Sequence, residues 1–340
     1  KSGTLSLTTT ANGAKGLKSD STIVDDGGTI TINAKGGVDT SDAEDPSYVA
    51  GIACSKFVQN GGVIAMTIQG SSGRGIKADD VETNGGELTI TNGATPTTIS
   101  QTGGTYSSSS AKGIKAICAV TIYGGETTVN TTKSGGEGLE SKTSVDIRGG
   151  RHYLKCYDDC INSTGKVYFN GGITVCYSTG NDAVDSNAGT AGAITIGNGT
   201  IFAYMTKGDP DEGLDCDNNN YIQITGTGIG ISAGGKQSST SGTISGAKQG
   251  YAFLTKPTSY ATKTYYTLAD AEGNNLVTYS FEATVKNSLS FITAAGMTSK
   301  GSYTIKSSTV EPTDATTAFH GLYLGSSAAG TTSVTNFTAK

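Results

Sequence analysis

The stretch that decides the fold is Gly75-Ile76-Lys77-Ala78, because closely similar quartets recur along the chain. Each quartet has a small residue, an aliphatic residue, a polar residue and a second small residue. The aliphatic positions are Leu17, Ile52, Ile76, Ile114, Leu139, Ile161, Val184 and Leu214, and their spacings are 35, 24, 38, 25, 22, 23 and 30 residues. Such recurrence is typical of a protein whose repeats stack on one another.

A second repeated feature, a pair of glycines, follows most of the quartets. The pairs stand at 27–28, 61–62, 85–86, 124–125, 149–150 and 171–172, and alternating runs such as Glu87-Leu88-Thr89-Ile90 come after them. Alternation of apolar and polar residues is typical of strands with one buried face. Because each repeat then holds about three short strands separated by turns, we predict an all-β fold, a parallel β-helix of about eight rungs over residues 1–245.

The composition supports strands and excludes several classes of protein. The 340 residues include 50 glycines but only 5 prolines, without a collagen period, and long runs of helix-forming residues are missing. The net charge of −5 and the presence of only three arginines argue against a nucleic-acid partner. No apolar stretch reaches about 18 residues, so we expect no membrane-spanning segment.

The last quarter of the chain differs from the rest. The quartet is absent after residue 245, and 12 of the 24 aromatic residues lie in 251–340. The segments 265–268 and 276–279 have the pattern of a hairpin. Because an open end of a stack exposes apolar core and unpaired strand edges, we predict that 246–340 forms a C-terminal β cap or a small β domain.

The charges that flank the aliphatic positions change sign along the chain, from basic or neutral to acidic or amide. Because equivalent positions stack, we expect two charged columns that face outward. Carboxylates stacked at one strand spacing repel each other, which favours a bound cation. Ca²⁺ suits oxygen ligands at this spacing better than Mg²⁺ or Zn²⁺ does. The alternative to a calcium site is an acidic edge that water solvates without an ion. The predicted calcium ligands are Glu137, Glu140, Asp159, Asn162, Asp182, Asp185, Asp211, Glu212, Asp215 and Asp217.

The basic half of the same columns is predicted to bind an anionic chain such as a polyuronate, although it could also serve only solubility. The candidate residues are Lys15, Lys18, Arg74, Lys77, Lys112 and Lys115. Two long repeats contain insertions, at 33–50 and 92–112, which we expect to form loops of the kind on which binding surfaces are built.

Four stretches carry a resemblance to a known family: Gly75-Ile76-Lys77-Ala78-Asp79, Asn84-Gly85-Gly86-Glu87-Leu88-Thr89-Ile90, Asp182-Ala183-Val184-Asp185-Ser186 and Lys300-Gly301-Ser302-Tyr303-Thr304-Ile305. They resemble a bacterial family of carbohydrate-binding β-helix proteins, related in architecture to pectate lyases. The resemblance implies a right-handed helix, bound Ca²⁺ and affinity for plant-type polysaccharides such as polygalacturonate or cellulose. It also implies export. Since the sequence begins at Lys1 without a signal segment, we expect a removed signal and an extracellular or cell-surface location.

We therefore expect a non-catalytic, calcium-binding, carbohydrate-binding protein, and we assign no catalytic residue. One alternative is a calcium-dependent polysaccharide lyase acting on polyuronates, with Lys115 or Arg74 as the base. A hydrolase would instead use Asp158, Asp159 and Asp182. A further alternative is a structural or adhesive surface solenoid that needs no ligand.

Overall fold

The structure is a computed structural model, and it describes residues 2–42, 44–101, 104–216, 221–235, 243–286, 290–327 and 330–340. Within these ranges the chain folds into strands and their connections, without an α-helix. A helix long and apolar enough to cross a membrane is therefore not found in the described part of the chain.

Strands β1 to β23 belong to the region that contains the quartets. In chain order they are Thr4–Thr9, Lys15–Lys18, Thr22–Ala34, Ala50–Ala53, Lys56–Ile68, Arg74–Ala78, Asp80–Thr83, Glu87–Asn92, Thr97–Gln101, Gly104–Ser109, Lys112–Ala116, Ala119–Ile122, Glu126–Thr131, Glu137–Ser141, Ser144–Cys156, Ile161–Ser163, Lys166–Ser178, Val184–Ser186, Ile194–Ile196, Thr200–Met205, Leu214–Asp215, Ile222–Ile224 and Ile229–Ala233.

Strands β24 to β33 follow in the aromatic-rich region. They are Tyr251–Leu254, Ser259–Tyr260, Tyr265–Ala269, Asn275–Ser280, Val285–Lys286, Ser290–Thr293, Ser302–Ser308, Thr317–Phe319, Leu322–Leu324 and Thr332–Thr338. The predicted hairpin corresponds to β26 and β27, which pair antiparallel.

The quartets form one parallel sheet of eight strands, in the order β2-β4-β6-β11-β14-β16-β18-β21. Ile114 pairs in register with Ile76 on one side and with Leu139 on the other, and all three side chains are fully buried. This register confirms that equivalent quartet positions lie side by side on neighbouring strands.

The remaining repeat strands join a branched sheet of fifteen strands, except β9 and β10, which pair only with each other. Its main path is β1-β3-β5-β7-β12-β15-β17-β20-β23-β29-β24, with β8, β13, β19 and β22 paired off this path. Four of its strands (β3, β5, β15 and β17) are 13 residues long and run through the glycine pairs. The strands β24 and β29 join it antiparallel.

The predicted architecture, a right-handed parallel β-helix of about eight rungs with a C-terminal cap, is therefore wrong, while the all-β class is confirmed. The chain forms an eight-stranded parallel sheet, the branched fifteen-stranded mixed sheet and a six-stranded antiparallel sheet. One cause is that four of the six glycine pairs, at 27–28, 61–62, 149–150 and 171–172, are bulges within long strands rather than turns. The register shifts between Arg148 and Arg151, and Gly150 has a left-handed φ of 87°. The division at residue 245 stays a prediction.

Two apolar clusters hold these sheets together. The first contains the quartet residues Ile76, Ile114 and Leu139 together with residues of the fifteen-stranded sheet such as Ile90. The second joins the fifteen-stranded sheet to the six-stranded sheet (β31-β32-β27-β26-β30-β33), and there Tyr204 meets Phe281 edge-on at a centroid distance of 5.1 Å. The eight-stranded sheet, which holds the charged quartet positions, therefore packs through its buried aliphatic residues against the fifteen-stranded sheet.

Candidate functional site

The eight-stranded sheet arranges the flanking charges in two rows. The row after the aliphatic positions runs, in register, Lys18, Ala53, Lys77, Lys115, Glu140, Asn162, Asp185 and Asp215. The row before them runs Lys15, Ala50, Arg74, Lys112 and Glu137. Both rows therefore change from basic to acidic between β11 and β14.

The expectation that both rows face outward is wrong for several positions, which include Glu140 and three residues of the row before the aliphatic positions. Arg74, Lys112 and Glu137 are only 3, 7 and 9% exposed. The Arg74 guanidinium donates to the carbonyl oxygens of Ser72 at 2.5 Å and Ser110 at 2.6 Å, and burial lowers its pKa. The predicted sugar ligand Arg74 is thus engaged by protein carbonyl groups.

Where the sign changes, the basic and acidic candidates pair with one another. We call Lys112, Lys115, Lys142, Glu137 and Glu140 the charge network. Lys112 pairs with Glu137, while Lys115 and Lys142 reach Glu140 at 2.8 and 2.5 Å. Burial alone would raise the pKa of Glu140, but Lys112 and Lys115 outweigh it and lower that pKa to about 2. Residues predicted to bind a sugar and residues predicted to bind calcium therefore neutralise each other.

The acidic positions beyond the charge network crowd together. The Asp159 carboxylate accepts from the side-chain amides of Asn162 at 2.9 Å and Asn181 at 2.8 Å. Burial and the nearby carboxylates, Asp158 and Asp185 first among them, raise the pKa of Asp159 to about 10. The backbone N–H of Glu212 donates to Asp182, yet burial and neighbouring carboxylates still raise the pKa of Asp182 to about 8.

The remaining predicted calcium ligands are placed as follows. Lys207 pairs with Asp211 at 2.7 Å, Glu212 is buried, and Asp217 lies outside the described residues. Among the residues that the structure describes, no three His, Cys, Asp or Glu side chains converge closely enough to hold a metal ion as they stand. The calcium site stays a prediction.

The other end of the sheet carries an open cavity, which we call the lysine pocket. It has a volume of about 400 Å³ and is lined by Lys15, Lys18, Lys77 and Tyr48 among others. Lys15 donates to the carbonyl oxygen of Gly13 and, at 2.9 Å, to the hydroxyl of Ser47. The structure thus brings three of the six predicted sugar-binding residues together.

The three lysines of the lysine pocket form no ion pairs among the described residues, although Asp20, Asp45 and Asp79 also line the pocket. Lys15, Lys18 and Lys77 form no salt bridge with any residue that the structure describes. Burial, together with the like charges of Lys77 and Lys18, lowers the pKa of Lys15. An anion in the pocket would relieve this crowding.

Sequence reasoning missed Tyr48 as a pocket residue. It is the one aromatic residue of the insertion 33–50, and its ring lies 4.5 Å from the Arg74 guanidinium. An isolated aromatic side chain in an otherwise polar insertion was the signal that could have identified it.

A family model matches part of the chain. Residues 94–183 match the model of a family described as carbohydrate-binding domain-containing protein. No curated protein and no solved structure matches the chain, so a relation to pectate lyases is not confirmed. The matched segment contains the charge network, and its residue Ile117 also lines the lysine pocket. The match supports a carbohydrate-binding role for the protein.

Proposed function

We propose that the protein binds an acidic polysaccharide without cleaving it, and that the lysine pocket receives the carboxylate groups. The observation that carries this proposal is the group of three ammonium ions around one cavity, none of them paired with a carboxylate in the described part of the chain. Hydrogen bonds from such charged donors to a carboxylate are stronger than neutral ones.

Other side chains in the lysine pocket suit the remainder of a sugar unit. The Tyr48 ring is held against Arg74 and supplies a firm apolar surface for the C–H face of a pyranose. Asp20 and Asp79 also line the pocket and are exposed, so their carboxylates can accept hydrogen bonds from sugar hydroxyls. A uronate unit combines the charge and the hydroxyls that this set of groups would recognise.

Calcium is a second part of the proposal. We restrict its ligands to the carboxylates around Asp159, Asp182, Asp185 and Asp215, because lysines already neutralise Glu137 and Glu140. Burial, and after it the neighbouring carboxylates, raise the pKa of Asp159 and Asp182, and a divalent cation would offset both effects, provided that the side chains move to converge on it. An extracellular or cell-surface location accords with this ligand and this ion.

The test is calorimetric titration with a hexamer of α-1,4-linked galacturonate, compared with its methyl ester. The acidic hexamer is expected to bind, and the ester to bind at least tenfold more weakly. The double variant Lys18→Ala, Lys77→Ala is expected to weaken binding of the acid by about 10- to 100-fold, the usual range for charged hydrogen bonds. Lys35→Ala, an exposed lysine outside the pocket, is the matched control.

Two results would count against the proposal. If the acidic hexamer does not bind, or binds the double variant as tightly as the unmodified protein, the lysine pocket is not its site. If ultraviolet absorbance from unsaturated chain ends grows during incubation, the protein is a lyase rather than a binder.

A further inference from the structure

A second cavity lies in the six-stranded antiparallel sheet, on elements that contain no quartet. Its volume is about 410 Å³, and Lys263, Tyr265, Glu282, His320 and Tyr323 are among the residues that line it. This size lies within the range of small-molecule sites, and the lining mixes aromatic rings with a few polar groups as such sites do.

The aromatic rings of this cavity are fixed by packing against other rings. Tyr265 meets Tyr323 at a centroid distance of 5.6 Å and an angle of 73°. His320 stacks on Tyr153 at 3.6 Å, with the planes only 4° apart, and touches Phe319 edge-on. Rings held in place in this way lose little further freedom when a ligand packs against them.

A carboxylate on the cavity wall is also held in place. The hydroxyl of Tyr153 donates to Glu282, and the Lys155 ammonium reaches the other carboxylate oxygen at 2.8 Å. Burial would raise the pKa of Glu282, but these two contacts outweigh it and lower that pKa. A carboxylate has about four acceptor positions, so Glu282 can accept further hydrogen bonds from a ligand.

The backbone at this cavity adopts conformations that side-chain-bearing residues rarely take. His320 has a φ of 42° and Lys263 a φ of 53°, and they are two of the four non-glycine residues with positive φ in the described part of the chain. Such conformations concentrate at ligand sites, where the surrounding structure enforces them.

We propose that this cavity is a second carbohydrate-binding site, which takes a neutral sugar unit. The fixed aromatic rings would pack against the C–H face of the sugar, and Glu282 would accept hydrogen bonds from its hydroxyl groups. Glu282 and Lys155 neutralise each other, which leaves the exposed Lys263 as the one uncompensated charge among the described lining residues, against three lysines without an ion pair in the lysine pocket. This site does not depend on the ligand of the lysine pocket.

The two histidines of the chain provide a direct test by nuclear magnetic resonance. His320 lines the cavity, whereas His152 is fully buried and is not among the lining residues, so it serves as the internal reference. The probes are β-1,4-linked tetrasaccharides of glucose, xylose, mannose and galactose. At least one is expected to shift the imidazole C–H signals of His320 in a saturable way while those of His152 stay in place. If none of the four shifts His320, the proposal is wrong.

Two variants and two controls complete the test by calorimetry with the tetrasaccharide that binds. Tyr265→Ala and, because asparagine tolerates a positive φ, His320→Asn are each expected to weaken binding at least tenfold. Tyr157→Ala, an exposed tyrosine elsewhere, and the double variant at Lys18 and Lys77 should bind as the unmodified protein does. Unchanged affinity in a folded His320→Asn variant would overturn the assignment.

Discussion

Replacing Glu140 by glutamine tests the charge network most directly. The Glu140 side chain is only 6% exposed and lies within 2.8 Å of Lys115 and 2.5 Å of Lys142. Glutamine keeps the shape and a carbonyl acceptor but removes the charge. Because Lys115, whose side chain is 21% exposed, would then lose its counterion and Lys112 would keep only Glu137, the variant is expected to be less stable than the unmodified protein.

The size of the loss follows from the pKa of Glu140. Its fall from the usual 4.5 to about 2 corresponds to roughly 3 kcal/mol of stabilisation of the folded state at neutral pH. A carboxyl group whose pKa is lower in the folded state adds its full stabilisation to the free energy of unfolding at pH values above its unfolded pKa. This stabilisation disappears as the pH falls through the folded pKa. Burial also lowers the pKa of Lys115, which opposes part of the gain within the network.

Urea unfolding at several pH values measures this contribution. At pH 7 we expect Glu140→Gln to lower the free energy of unfolding by about 3 kcal/mol, and at pH 3 by less than half of that. The matched control is Glu82→Gln in the exposed pair with Lys56, where the loss should stay below about 1 kcal/mol. A loss at pH 7 no larger than that of the control, or a loss equal at both pH values, would refute the reasoning.

Three further outcomes are expected. The folded-state pKa values of Asp159 and Asp182 are raised to about 10 and 8, so the stability without calcium should fall as the pH rises from 5 to 8. Differential scanning calorimetry should therefore show a lower melting temperature at pH 8 than at pH 5. The variant Asp159→Asn should make the melting temperature depend less on pH. Millimolar calcium should restore the melting temperature at pH 8 and a chelator should reverse this; no change with calcium would count against the ion. Gly75→Ala would press a methyl group against the Gly113 carbonyl oxygen and should cost about 3 kcal/mol in urea unfolding, whereas Gly3→Ala, with open space around it, should cost little.

The stacking of the quartets could be predicted from the sequence because it depends on local pattern alone. Ile76, Ile114 and Leu139 each sit between small residues, and the structure places them side by side and fully buried. The glycine pairs were misleading for a physical reason. Gly150 adopts a left-handed φ whether a strand ends there or bulges and continues. Whether the strand ends at the glycine pair or continues through a bulge depends on the pairing with the neighbouring strand, and the sequence does not show that pairing.

The candidate site was predictable to a similar extent. The convergence of Lys15, Lys18 and Lys77 follows from the register, since they occupy equivalent positions on nearby strands. The ion pair between Lys115 and Glu140 was missed. The change of charge along each row was recognised, but the contact that forms where a basic position lies next to an acidic one was not. The cavity beside Glu282 was missed because its residues are distant in sequence and carry no repeat.

The charge network also changes what the sign reversal means. A basic stretch followed by an acidic stretch in each row suggests an anion site beside a metal site. At the boundary, however, the lysines of β11 and the glutamates of β14 form ion pairs and neutralise each other. Lys18 and Lys77, which form no salt bridge with a described residue, lie on one side of this boundary, and Asp159 and Asp185 lie on the other. Since several strands separate these groups, a substitution in one should leave the ligand of the other unaffected. Acidic glycan and calcium are therefore expected to bind without competing, and each proposal can fail without the other.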